Sequence, residues 1–150
     1  MKTCSFFGHR EVSDTIEDKL LEYIEYAINT LGITAFYVGG YGDFDRKVTN
    51  LMIPIRNKYP HIQLLLALAY LPTKKDPIDK SNWYDDTVYF DGLEFAPKRF
   101  AITKRNRLMV ESSDAIICYI TRNHGGAYTA VKYAKKQEKP ILNCVKTDVL

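Results

Sequence analysis

Two glycine doublets stand where an apolar run gives way to a polar, helix-forming segment: Gly39-Gly40 in YVGGYGDFD and Gly125-Gly126 in NHGGAYTAVKYAKK. A third turn, Gly8-His9-Arg10 in CSFFGHR, closes the first apolar run. Glycine lets a backbone approach a ligand closely, and a helix start leaves N–H groups without intrahelical partners. Such starts attract anions, phosphate above all. The chemistry on offer is a grip on a nucleotide or nucleotide-derived molecule.

Gly125, Gly126 and Ala127 with the Thr129 hydroxyl suit a phosphate cradle; the plainer alternative is a tight turn that only starts a helix. Gly39, Gly40, Tyr41, Gly42 and Asp43 read as a ligand-facing loop, with an acid for ribose hydroxyls, although Asp43 or Asp45 equally suits a cap on the next helix. Arg10 suits a two-pronged hold on phosphate or an ion pair with Glu11 or Asp14. His9 shares that turn but has no visible partner that would make it a general base. There is no GxGxxG, so a standard dinucleotide site is not supported.

The elements that must position these turns alternate. Residues 3–7 read as a strand. Ser13 reads as the N-cap of a helix with Ile16, Leu20, Ile24, Ala27, Ile28 and Leu31 on one face, ended by Gly32. Residues 33–38 form a second strand. A helix over 44–59 follows, kinked or broken at Pro54. The run IQLLLALAY over 62–70 is the pattern of a strand covered on both faces. Residues 72–97, with Pro72, Pro77, Pro97, Trp83, Tyr84 and Tyr89, read as an ordered loop insertion with a short extended piece at 87–90; such long loops tend to be functional. Its aromatics suit a lid or a subunit interface slightly better than direct stacking on a base. A helix over 99–111, a strand over 115–120, a helix over 126–137 and a strand over 140–145 complete a single domain.

Strand–helix alternation with right-handed crossovers predicts an α/β fold: a doubly wound, mostly parallel sheet of about five strands with helices on both faces. Ligands of such sheets sit beyond the carboxyl ends of the strands. The three glycine turns fall at that edge, as does Tyr70 after the third strand.

The 150 residues are 46% hydrophobic and 26% charged, ordinary for a globular domain. A net charge of +3 argues against general nucleic-acid binding. Cys4, Cys118 and Cys144 read as buried free thiols in a cytoplasmic protein. No CxxC pair or His cluster suggests a metal site, no cofactor is expected beyond the ligand, and no apolar run is long enough to span a membrane.

The run RNRLMVESSDAIICYI followed by GGAYTAVKYAKK, with the FFGHR turn, resembles the SLOG superfamily. That group includes LOG-type phosphoribohydrolases, DprA-type DNA-processing proteins and the short YpsA-like proteins, which this chain resembles most. The resemblance covers nearly the whole chain. It implies a Rossmann-like fold, a nucleotide-type pocket at the strand ends, and contact with the ligand by Arg105, with Asn106 either reading a base or ribose edge or standing by. Matching the LOG-type motifs places Lys104 and Lys132 where the enzymes carry glutamates. Glycosidic cleavage passes through an oxocarbenium-like state that needs a carboxylate. The enzyme reading is thereby weakened unless Asp43, Asp45 or Asp85 supplies the acid. The resulting expectation is a homo-oligomer that binds a small nucleotide-derived ligand without turnover, a sensor or sequestering protein in nucleotide signalling, by analogy in antiviral defence or its suppression. The alternatives are a phosphoribohydrolase-like or nucleoside-transferring enzyme and, third, a single-stranded DNA binder.

Overall fold

The computed structural model describes residues 1–74 and 83–150. Six strands run parallel in one sheet, in the order β4-β3-β2-β1-β5-β6. They are β1 (Thr3–Gly8), β2 (Ala35–Val38), β3 (Gln63–Ala67), β4 (Asp86–Val88), β5 (Ala115–Tyr119) and β6 (Ile141–Asn143). Four helices connect them: α1 (Glu17–Asn29), α2 (Gly42–Lys58), α3 (Ala101–Glu111) and α4 (Gly126–Lys136). This is the Rossmann-like α/β architecture. Every residue of β2 and β5 is buried, as a sheet covered on both faces requires.

The two faces have separate cores. On one, α1 and α2 bring Leu20, Ile24, Phe44, Val48 and Met52 against Phe6, Phe36, Leu64 and Ile117. On the other, α3 and α4 bring Met109, Val110, Ala130 and Val131 against Phe7, Tyr37, Ile116 and Cys118. The central strand β1 pairs with β2 on one side and β5 on the other, in the register Cys4 opposite Phe36 and Ala115. The chain thus winds outward in opposite senses from β1, and the β1–β5 seam is the switch point where such sheets bind ligands.

Several local expectations are corrected. Ser13 does not cap α1: the helix starts at Glu17 with Ile16 at the cap position. The Tyr119 hydroxyl captures the Asp14 carboxylate instead, at 2.7 Å. Of the kink or break expected at Pro54, the break does not occur: α2 runs on from Gly42 to Lys58, with Pro54 on its exposed face one turn after exposed Asn50, whose orphaned carbonyl can be hydrated. The sheet has six strands where about five were expected: β4, overlapping the short extended piece expected at 87–90, pairs with β3 with Leu65 opposite Asp86. Two 3₁₀ turns, Leu93–Phe95 and Lys98–Phe100, lead from it into α3. Pro77, named with that loop, lies outside the described residues. Cys4, Cys118 and Cys144 are free and buried. Burial pushes all three thiols up, Cys144 to about 12, so none is a ready nucleophile.

Candidate functional site

A cleft of about 240 Å³ opens at the carboxyl end of the β1–β5 seam. It gathers Gly8, His9 and Arg10 after β1, Gly39 and Tyr41 after β2, Asp45 of α2, Arg105 and Asn106 of α3, and Arg122, Gly125, Gly126 and Ala127 after β5. The three glycine turns therefore meet at one rim. Gly40 and Tyr70 lie instead in a neighbouring cleft, while Gly42, Asp43 and Thr129 line neither. Asp43 pairs with Arg46 at 2.9 Å, and the Thr129 hydroxyl donates to its own Gly125 carbonyl at 3.0 Å. The expected cradle consequently lacks its hydroxyl.

Most of these glycines make room for the chain itself. A Cβ on Gly8 would stand 2.1 Å from the Phe44 ring, so Gly8 lets α2 settle onto β1. A Cβ on Gly39 would stand 2.9 Å from the Arg105 guanidinium. Gly42 has φ +86°, and a Cβ there would meet the Arg10 backbone at 2.7 Å; the Asp43 N–H donates to the Arg10 carbonyl beside it, at 2.8 Å. The β1 and β2 turns are thereby locked together. Gly125 and Gly126 differ, for a Cβ on either meets nothing within 4 Å. Gly125 takes φ +98° as the N-cap of α4, and no side chain caps the N–H groups of the first turn behind it.

Arg105 is 5% exposed. Its Nη1 donates to the carbonyls of Gly39 (3.4 Å) and Ala67 (3.2 Å), the ends of β2 and β3, and its Nε and Nη2 donate to Asn106 Oδ1 at 3.2 and 3.0 Å. The Tyr41 ring lies 5.8 Å from its Cζ. Most of its donors are thus spent on the protein, while its charge stays at the cleft floor without a salt bridge among the described residues. Asp45, the acid that enters the cleft, is 9% exposed and accepts the Tyr41 N–H at 3.0 Å. Burial pushes its carboxyl up to about 6, opposed by the Tyr41 N–H and the Arg105 charge. Of the other two acids named from sequence, Asp43 is turned to Arg46, and Asp85 is held by Arg56 at 2.9 Å and by the Leu64 N–H at 2.8 Å.

His9 is buried, and its Nε2 accepts the Thr121 N–H at 3.0 Å. That bond places the proton of the neutral ring on Nδ1. Desolvation first, then Arg122 and His124, lower its pKa, so near neutral pH the ring is uncharged, with Nε2 engaged by Thr121 and Nδ1–H left as a donor. Arg10 and Arg122 stand exposed at the rim, and among the described residues neither forms an ion pair. Lys104 and Lys132 are exposed and outside the cleft, so neither carries its charge into it. Arg122 is a cleft residue that the sequence reading missed, and Asp45, like Arg10 and Asn106, is one that it left undecided. The signal for Asp45 was its place four residues after Tyr41, on the face of α2 that also buries Val48, Thr49 and Met52. Nothing in the TRNH run marked Arg122.

No protein-family model matches the chain. The uncharacterized SPbeta prophage-derived protein YoqJ of Bacillus subtilis (strain 168) is 26% identical over 140 residues, covering 81% of both chains. Among solved structures, TM1055 superposes with a TM-score of 0.57 at 14% identity, over 94% of this chain and 72% of that one. DNA processing protein A from Helicobacter pylori, described with a unique single-stranded DNA binding mode, gives 0.61 at 19% identity. DprA from Streptococcus pneumoniae gives 0.64 at 13%. This chain is covered over 95% in both cases but spans 64% and 50% of those longer proteins. These likenesses establish the fold.

Proposed function

We propose that this chain is a SLOG-type protein of the short YpsA-like branch, and that its switch-point cleft binds a small, phosphate-bearing, nucleotide-derived molecule. One observation carries the reading: the open first turn of α4 and two arginines without ion pairs, Arg10 and Arg122, share the rim of a single cleft. Phosphate rests on the N–H groups of Gly126 and Ala127 between those arginines. Asp45 and Asn106 take the sugar hydroxyls, since a carboxylate accepts several hydrogen bonds and Asp45 has capacity left beyond Tyr41. Arg105 holds the floor and contributes charge more than contacts. Binding without turnover suits a sensor or a sequestering protein in nucleotide signalling. The prophage origin of the YoqJ relative supports a setting in antiviral defence or its suppression. We assign the site to each protomer of a homo-oligomer.

The test is a thermal-shift screen followed by native mass spectrometry against mononucleotides, cyclic nucleotides and ADP-ribose derivatives. A stabilising ligand recovered unchanged, with affinity lowered in Arg122→Ala, supports the reading. No stabilisation by any member overturns it.

A second reading, cleavage of an N-glycosidic bond, is favoured by one feature. Asp45 is a buried carboxylate within the phosphate-binding cleft, where it would face an oxocarbenium-like centre. Recovery of free base and ribose phosphate, lost in Asp45→Asn, identifies that outcome. Nucleic acid also carries more weight than net charge suggested. One protein of this fold is described as binding single-stranded DNA. Here Phe95 and Phe100 are 84% and 50% exposed beside the exposed Lys98, Arg99, Lys104 and Arg107. A steep salt dependence of oligonucleotide affinity would speak for it.

A further inference from the structure

A second cleft, also of about 240 Å³, lies beyond the carboxyl ends of β2 and β3. It shares Gly39, Tyr41 and Arg105 with the first, so these residues form a partition with a cavity on either side. The two cavities differ in chemistry. Arg105 is the one charged side chain among the described residues lining the second, and its donors go largely to Gly39, Ala67 and Asn106. That cavity therefore offers little to an anion. It offers rings: Tyr41, Tyr70, Trp83 and Tyr84 line it, with Leu66 beneath.

Those rings sit on fastened supports. Arg56 donates to the Trp83 carbonyl at 2.7 Å and to Asp85 at 2.9 Å, and Asp85 in turn accepts the Leu64 N–H of β3. Tyr84 is half-buried against the core beneath α1 and α2. The Tyr70 hydroxyl donates to the Lys98 carbonyl at 3.1 Å. Yet Trp83 is 52% exposed, Tyr41 51% and Tyr70 39%. Large, partly exposed rings on fastened backbone, around a slot in which no described residue but Arg105 carries charge, form a stacking platform.

We propose that the second cleft seats a heteroaromatic base belonging to the same ligand whose phosphate occupies the first. The molecule recognised is then two-ended, with its sugar crossing the partition at Tyr41 and Arg105. This rests on the phosphate reading of the first cleft and adds the base to it.

Trp83 is the single tryptophan of the chain and lines the second cleft but not the first, so its emission reports on the second cleft and its surroundings. The full chain is titrated with ribose 5-phosphate, AMP, GMP and ADP-ribose, followed by calorimetry and by fluorescence excited at about 295 nm, where bases absorb little and Trp dominates. Ribose 5-phosphate is expected to bind while leaving the emission unchanged. At least one base-bearing ligand is expected to bind roughly tenfold or more tightly than ribose 5-phosphate and to quench Trp83. Trp83→Ala, checked for folding by circular dichroism, brings the base-bearing affinity down toward that of ribose 5-phosphate. If ribose 5-phosphate binds and no base-bearing ligand binds tighter or alters the emission, the base seat is wrong and the phosphate site stands. If none of the four binds, both readings fall.

Discussion

Replacing Asp45 by asparagine tests whether the cleft keeps a carboxylate at the expense of the fold. Burial raises the Asp45 carboxyl from its ordinary 3.8 to about 6, against the pull of the Tyr41 and Gly40 N–H groups and of Arg105. The folded protein therefore holds this proton more tightly than the unfolded chain does. The stabilisation is complete below the unfolded value and is lost as pH rises through the folded one. At about 1.4 kcal/mol per pH unit, the loss across that window is roughly 3 kcal/mol. Asparagine keeps the shape and an acceptor for the Tyr41 N–H but carries no charge at any pH. Asp45→Asn should melt close to wild type near pH 4, then progressively higher, by about 5–10 °C near pH 7.5 for a protein of this size. Melting curves of both proteins at closely spaced pH give the difference directly, and the histidines, common to both, cancel. Parallel curves between about pH 4 and 7, or a variant less stable near pH 7.5, would refute the argument. The same substitution should weaken ligand binding. A gain in stability joined to a loss of binding marks a group retained for function.

The glycines separate into two kinds by substitution. Gly8→Ala forces the Phe44 ring aside and should lose about 2–3 kcal/mol in chemical denaturation. Gly126→Ala meets nothing and should leave stability within about 0.5 kcal/mol of wild type, or raise it, while its methyl crowds the α4 amides and lowers ribose 5-phosphate affinity. Undiminished affinity in Gly126→Ala would remove phosphate from those amides. Arg122 depresses the His9 pKa by charge repulsion. In Arg122→Ala, proton NMR should show His9 titrating at higher pH than in wild type; an unchanged value would mean that Arg122 does not face the ring.

The order of elements was legible because each has its own periodicity: β2 and β5 are unbroken apolar runs, and α1 repeats its buried residues at helical spacing. β4 was legible only as a short extended piece at 87–90 and not as a member of the sheet, because three exposed or half-exposed residues at a sheet edge carry no periodic signal. At the site, the turns were readable from their glycines, but the reason for those glycines was not. Gly8, Gly39 and Gly42 answer to Phe44, Arg105 and Arg10, partners far away in sequence or on another turn. Arg105 was reached through resemblance alone, since nothing in its local spacing distinguishes it from Arg99 or Arg107. In the structure those two lie over the rings of Phe100 and Tyr133. Between Asp43 and Asp45 the choice rests on the side of α2 on which each falls, which the helical spacing to Val48 and Met52 carries and the glycine turn does not: Asp43 pairs with Arg46 and Asp45 enters the cleft.

β1 lies at the middle of the sheet, beside a strand that follows it at once and another that arrives only near the far end of the chain. On the ribosome, β1 and β2 can meet early, but the opposite edge of β1 stays bare until β5 has been made. A bare apolar edge invites pairing with other nascent chains, so this interval is when the protein is most open to aggregation and most in need of chaperones. The same seam forms the mouth of the cleft, with one lip from the first turn and the other from residues 122–127. A chain clipped or stalled before β5 holds half a binding site, so competence to bind arrives in the same late step that closes the sheet.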